Sequence, residues 1–280
     1  MGKFYREGRR CLPGTAHIER APRDIYWTAY ALLLSALARS ATPGPHDPSG
    51  NRLLALLPRP DLARVRPHLR PAALPLGKPL YEAGSRMPRL YFVTAGIVSL
   101  IQVMADGRTA EIAVVGREGV VGIAMFMGGQ STPSRAVVQS EAAALSLPAA
   151  VLKQEFARGG VLHDLLLGYT QTLITQMSQT AVCNRHHTVE QQLCRWLLLS
   201  LDRLASDELL MTQELIANML GVRRSGVAEA ARKLQEAQIM RYVRGRISVL
   251  DRRRLEARAC ECYAIVKRET DRLFSQWRVQ

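Results

Sequence analysis

Several things are scarce in this 280-residue chain, and each scarcity closes off a class of protein. No apolar run reaches the roughly 20 residues that a membrane-crossing helix needs. The nearest, Ile25 to Ala38, follows scattered arginines, but the polar stretch before it is too long for a secretory leader. Cysteine is present without a pattern. Cys11, Cys183, Cys194, Cys260 and Cys262 match neither a disulfide framework nor a zinc motif, and Cys260 and Cys262 are closer than a C-x-x-C pair. Reduced thiols and no metal are therefore expected. No nucleophile–base–orienter set and no phosphate loop can be assembled, so the chain does not read as an enzyme. Acidic residues are the last shortage. There are 24 Asp and Glu against 38 Lys and Arg, a formal net charge of +14. The excess is clustered: residues 223–258 hold eleven Lys/Arg and four Asp/Glu. A polyanion-binding surface requires such clustering.

What is there centres on Thr212 to Leu234, TQELIANMLGVRRSGVAEAARKL. Ala217 is small enough to let a second helix approach. Gly221 follows four residues later, where a tight turn needs a residue tolerant of positive φ. Val227, Ala230 and Leu234 then recur at helical spacing and leave Arg224, Ser225, Glu229, Arg232 and Lys233 on the other face. That combination reads as a helix-turn-helix, with a helical hairpin in an all-α core as the bland alternative.

The rest of the chain supplies context. Residues 1–50 read as an appendage: an amphipathic helix over Tyr26–Ala38 and a breaker segment, ATPGPHDPSG. A loosely docked helix on a linker and a mis-assigned start codon both remain open. From Ala72, the runs AALPL, PLYEAG, RLYFVTAG, IVSLIQVMADG, RTAEIAVVG, VVGIAMF, SRAVVQS and AAALSL follow at the rhythm of a small antiparallel barrel or sandwich. Asp106-Gly107 marks a hairpin. Helix is predicted from Pro148 to about His187. Its stripe of Leu162, Leu166, Tyr169, Leu173 and Met177 meets either the barrel or a second subunit, and the Gln- and Thr-rich remainder favours the dimer seam. Thr188 to Gln191 is a capping box. Ile239 to Leu250 reads as a wing with Arg244, Gly245 and Arg246 at its tip, and Arg252 to Phe274 as one further helix.

A barrel, a long helix and a winged helix-turn-helix, in that order, resemble the Crp/Fnr family of bacterial transcription regulators. The motifs that carry the likeness are GKPLYEAG, RLYFVTAGIVSLI, REGVVG, TQELIANMLGVRR and IMRYVRGRISVL. The resemblance implies an α+β protein. Its parts are an extension over 1–50, a jelly-roll effector domain over 51–155, a dimerisation helix over 156–187, a winged helix-turn-helix over 188–255 and a C-terminal helix over 256–280. It also implies a cytoplasmic homodimer on near-palindromic promoter DNA, with two reading helices one turn apart. RNA polymerase and an unidentified small-molecule effector are the further partners it implies, and no membrane.

Cyclic-AMP-binding members grip the nucleotide with a GE pair and an RS or RT pair. Here the first reads Val121-Gly122-Ile123, without the carboxylate, and the second Ser134-Arg135-Ala136, without the hydroxyl. Losing two buried partners, at about 1–3 kcal/mol each, cuts affinity a hundredfold or more. Cyclic AMP is therefore not the expected effector. Arg135 could hold an anion or pair with a nearby acid. The cysteine-ligated iron–sulfur centre of oxygen-sensing members is not available, because only Cys11 precedes residue 183. No cofactor is expected. Haem, which needs one axial ligand, stays open through His163, His186, His187 and Cys183.

On the family pattern, Arg224 takes the place of an arginine that reads guanine through a bidentate fork. Ser225 and Glu229 depart from the family's glutamate and arginine and imply a different half-site. Glu229 could accept from cytosine or pair with Lys233 at i+4. Arg223 stands at a poorly capping position and could reach a phosphate. Thr212, Gln213 and Arg246 are placed for backbone phosphates. A signalling module whose winged domain contacts protein is the competing function.

Overall fold

The computed structural model describes residues 47–277. The expected appendage over 1–50, apart from 47–50, and Cys11 lie outside them. The barrel is built from β1 (Arg70–Leu74), β2 (Pro79–Tyr81), β3 (Arg89–Val103), β4 (Thr109–Val115), β5 (Val120–Val121) and β6 (Ser134–Pro148). Every pairing is antiparallel, in the order β1-β6-β3-β4, with β2 on β6 and β5 on β3.

β3 and β6 each run 15 residues where the sequence suggests two strands apiece. The reason lies at Gly96. Its φ is +74°, and a Cβ there would sit 2.3 Å from the Glu141 carbonyl oxygen. The glycine bends a paired strand and shifts its register between Ala95 and Ile97, rather than ending it in a turn. Asp106-Gly107 does make the hairpin: Met104 N–H donates to Arg108 O at 2.8 Å.

Short helices α1 (Arg52–Ala55) and α2 (Arg59–Val65) enter the barrel. Asn51, fully buried, caps α1 by accepting from the Leu53 and Leu54 amides. Its amide group donates to Val93 O at 2.8 Å and Gly119 O at 2.9 Å. All its polar capacity is used, so burial carries no penalty.

Helix resumes as α3 (Ala149–Arg158) and α4 (Val161–His186), separated by Gly159-Gly160 instead of running continuously. The expected start of the long helix at 156 falls inside α3. On α4, Leu162, Leu165, Leu166, Tyr169 and Leu173 join Phe92, Leu90 and Val98 in the barrel core. The stripe read as favouring a dimer seam thus meets its own barrel. The polar residues misled for a physical reason: Thr170, Thr172, Thr175 and Thr180 turn their hydroxyls onto carbonyls four residues back in α4. They need neither solvent nor a partner.

α5 (Val189–Leu201) opens with the capping box. Thr188 N–H donates to Gln191 Oε1 at 3.0 Å, and Gln191 N–H donates to Thr188 Oγ1 at 3.3 Å. Next come β7 (Glu208–Leu210), α6 (Gln213–Leu220), α7 (Arg224–Glu236), β8 (Met240–Val243) and β9 (Arg246–Val249), with sheet order β7-β9-β8. The final helix is two, α8 (Arg252–Arg258) and α9 (Glu261–Gln276). α9 seats Leu273 and Phe274 in the barrel core, where Arg52 lies over the Phe274 ring at 3.7 Å.

A second core joins the two halves of the chain. Ile97, Ile101, Val114 and Val137 of the barrel pack with Trp196, Leu197, Leu220 and Val227. No helix among the described residues is long and apolar enough to cross a membrane.

Candidate nucleic-acid interface

α6 is short because both its ends are specified. Thr212 caps it, Oγ1 accepting from the Leu215 amide at 3.3 Å. Gly221 ends it at φ +66°, and its amide reaches back to Ala217 O. One face, Leu215, Ile216, Met219 and Leu220, is buried, together with Ala217. α7 then buries Val227, Ala230, Ala231 and Leu234, half-buries Gly226, Ala228 and Gln235, and exposes the rest. Arg223 sits at its N-cap with no side-chain bond, as the residue type implies.

Arg223, Arg224, Ser225, Glu229 and Lys233 all lie exposed on one helix and its entry, while Thr212 and Gln213 are half-buried. A cleft of about 600 Å³ is lined by Thr212, Gln213, Glu214, Arg224, Tyr242, Arg244 and Gly245. The start of α6, the start of α7 and the wing therefore face one space. Two helix N-termini and two guanidinium groups, against the single carboxylate of Glu214, leave the charge lining that space net positive.

The wing differs from expectation in one respect. β8 and β9 are joined by Arg244-Gly245, both at positive φ (49° and 81°), the signature of a tight two-residue hairpin. Arg246 is therefore the first residue of β9, and its guanidinium pairs with Glu208 on β7. Arg244, which the sequence reading grouped with the wing without a contact of its own, lines the cleft instead. Its signal was the R-G dipeptide at a hairpin tip. Tyr242 supports the wing by donating its hydroxyl to Met211 O at 2.7 Å, and burial pushes its pKa up to about 12.

Glu229 and Lys233 pair at 3.0 Å, and the lysine lowers the Glu229 pKa. In the chain by itself the intrahelical option is the one taken. Arg232 likewise pairs with Glu236.

The effector residues are placed less favourably for an anion. Arg135 Nε lies 3.0 Å from Glu82 Oε2, so the acid-pair alternative is realised. Ala136 is fully buried among barrel core residues, and Ile123 packs against the same core. Gly122 caps a single 3-10 turn over Ile123–Met125. Apolar side chains stand at both positions that lack the polar partner.

The histidines kept open for haem do not converge. His163 lies at the start of α4 beside Asp164 and the Phe156 ring. His186 is exposed at the other end, about 35 Å away at 1.5 Å per helical residue. His187 turns toward Cys183, Cys260 and Cys262.

Two family models match, in the order the fold suggests. Residues 72–158 match the cyclic nucleotide-binding domain and residues 191–258 the Crp-like helix-turn-helix domain. The chain thus carries a cyclic nucleotide-binding domain followed by a Crp-like helix-turn-helix domain. Among solved structures it is similar to a Crp/Fnr-family protein of Eubacterium rectale, at 17% identity and TM-score 0.61, covering 75% of this chain and 98% of that one. FixK2 of Bradyrhizobium japonicum follows at 18% identity and TM-score 0.60, covering 69% and 98%. The c-di-GMP-responsive global regulator CLP of Xanthomonas campestris, at 16% and 0.56, covers 69% and 99%. At these identities the likeness is one of fold. No curated protein matches by sequence.

Proposed function

We propose that this chain is a Crp/Fnr-type regulator of transcription, a homodimer that reads near-palindromic promoter DNA under an effector other than cyclic AMP. One observation carries the reading: Thr212, Gln213, Arg224 and Arg244 line a single cleft at the exposed start of α7. In this reading Arg224 donates bidentately to a guanine. Thr212, Gln213, Arg223 and Arg244 hold phosphates, and Ser225, Glu229 and Lys233 tune the half-site. Arg246, tied to Glu208, serves the wing's geometry first.

Dimerisation assigns to a different face of α4 from the one suggested by the sequence. Leu167, Ile174 and Val182 are 40%, 47% and 46% exposed, at seven- and eight-residue spacing along one side. Such spacing is that of a two-helix seam. RNA polymerase is the partner expected at the promoter.

The test is binding of genomic fragments across a salt series, followed by mapping of bound sites. Specific binding that weakens steeply with salt, at sites with dyad symmetry, supports the reading. Salt-insensitive binding, or capture of protein without DNA, overturns it in favour of a protein-contact module. For the effector, calorimetry decides: micromolar cyclic-AMP binding would sink the exclusion.

A further inference from the structure

Four side chains far apart in the sequence meet at the junction of α4, α5 and α9. Cys183 lies in the last turn of α4, His187 caps that helix, Cys260 caps α9 and Cys262 follows in its first turn. One donor atom from each lies within 4.8 Å of all the others. The Cys183 and Cys260 sulfurs are 3.5 Å apart, and Cys262 Sγ is 3.6 Å from His187 Nδ1. A tetrahedral ion with Zn–S near 2.3 Å and Zn–N near 2.0 Å spaces its ligands by about 3.8 Å (S to S) and about 3.5 Å (S to N). Those two separations match the tetrahedral spacings, and the remaining pairs, all within 4.8 Å, need close by no more than about 1 Å around one ion. A multi-iron cluster, several atoms across, needs its thiolates farther apart than these.

Two further features point to a ligand. The other His187 nitrogen, Nε2, lies 3.3 Å from Glu261 Oε1. A carboxylate there fixes the ring so that Nδ1 can present its lone pair to an ion. Arg195 is 97% buried, has no ion pair among the described residues, and its Nε has no hydrogen-bond partner. It is close enough to act electrostatically on Cys183 and Cys262. Three thiolates, a neutral imidazole and a divalent ion sum to one negative charge, which that guanidinium would balance.

We propose that Cys183, His187, Cys260 and Cys262 form a tetrahedral three-cysteine, one-histidine site for a single zinc ion. On binding, each thiol releases its proton to solvent and its sulfur donates an electron pair to the ion; no electron is transferred. Sulfur-rich tetrahedral geometry selects zinc over magnesium or calcium, and the absence of an open position makes the role structural. The ion ties the start of α9 to the turn between His186 and Val189, where the long helix hands over to the DNA-reading domain.

The experiment strips the full-length, reduced chain with chelator, titrates it with Zn²⁺ or Co²⁺, desalts it and measures bound metal. About one zinc per chain is expected, with a Co²⁺ spectrum of tetrahedral thiolate type. Cys260→Ser combined with Cys262→Ser should lower retained zinc at least about tenfold, while Cys194→Ser, a buried cysteine outside the four, keeps it. Where the paired substitution unfolds the chain by circular dichroism, alkylation of the unsubstituted protein decides, since bound zinc should slow modification of Cys183, Cys260 and Cys262 at least about tenfold. Zinc retention below about a tenth of an ion per chain overturns the proposal. So do full retention by a folded Cys260→Ser/Cys262→Ser chain, alkylation indifferent to zinc, and iron with acid-labile sulfide in the purified protein.

Discussion

Trp196 donates its indole N–H to Glu111 Oε1 at 2.9 Å, across 85 residues of sequence and between the two halves of the chain. Glu111 lies on β4 and Trp196 on α5, and both are buried. Burial pushes the Glu111 pKa from 4.5 up to about 7, against the opposing pull of hydrogen bonds from Ser99 and Trp196. Ser99 Oγ is 2.6 Å from Glu111 Oε2 and 2.8 Å from Gln139 Oε1. One hydroxyl cannot donate to both. A protonated Glu111 can donate to Ser99, which then donates to Gln139 Oε1, while Gln139 Nε2 stays without a partner.

A pH dependence follows from the raised value. Between its unfolded pKa of 4.5 and its folded pKa of about 7, Glu111 holds its proton better in the folded chain. Its contribution to stability is fully present below the unfolded value and fades as pH rises through the folded one. The melting temperature should fall from pH 5 to pH 8, and the Glu111→Gln chain should show a shallower slope over the same range. Equal slopes would remove the carboxyl from the explanation.

Arg224→Ala should weaken binding to a mapped site by about 10- to 100-fold, corresponding to about 1–3 kcal/mol, and relax one base position. Footprints that survive the change intact would show that this guanidinium does not read a base.

Arg244 and Arg246 separate by salt dependence. Arg244 lines the cleft, whereas Arg246 is already paired with Glu208. Arg244→Ala should reduce the slope of log affinity against log salt by about one, and Arg246→Ala by clearly less. A reversed ranking would return the phosphate contact to Arg246.

The two faces of α4 separate by assembly. Ile174→Asp, on the exposed face, should yield a monomer in sedimentation with little change in melting temperature. Leu173→Asp, at 1% exposure in the barrel core, should lose several kcal/mol of stability by burying an unpaired charge. Retention of the dimer in Ile174→Asp would move the seam elsewhere.

Gly96→Ala places a methyl 2.3 Å from Glu141 O at a φ of +74°. A loss of about 2 kcal/mol or more in chemical unfolding is expected, because both backbone and neighbour must shift. Wild-type stability would mean that the strand bend needs no glycine.

Much of the architecture was legible in the sequence because its signals are local. The Thr188–Gln191 box, the Thr212 cap, the Gly221 turn and the Asp106-Gly107 hairpin each depend on residues within a few positions of one another. The exposed face of α7 was legible too, since helical period alone separates Val227, Ala230 and Leu234 from Arg224 and Glu229. Legibility failed where a choice lay between two partners of the same chemistry. The Leu162–Met177 stripe suits a barrel as well as a second helix, and only the packing of α4 on the barrel core and the threonine back-bonds decide between them. It failed again at Gly96, where a bend inside a strand and the end of a strand have the same local signature.

The sequence by itself determined the order of the parts, the clustering of positive charge after Val222 and the inner and outer faces of α7. These are set by composition and by periods of two and 3.6 residues. Only the tertiary structure decided that Arg135 faces Glu82, that Glu111 meets Trp196, and that Cys183 and His187 meet Cys260 and Cys262. Each of these contacts joins elements whose separation in the chain says nothing about their distance. The break between α8 and α9 brings Cys260 to the end of α4, and no spacing rule along the chain reports the packing of two helices against each other.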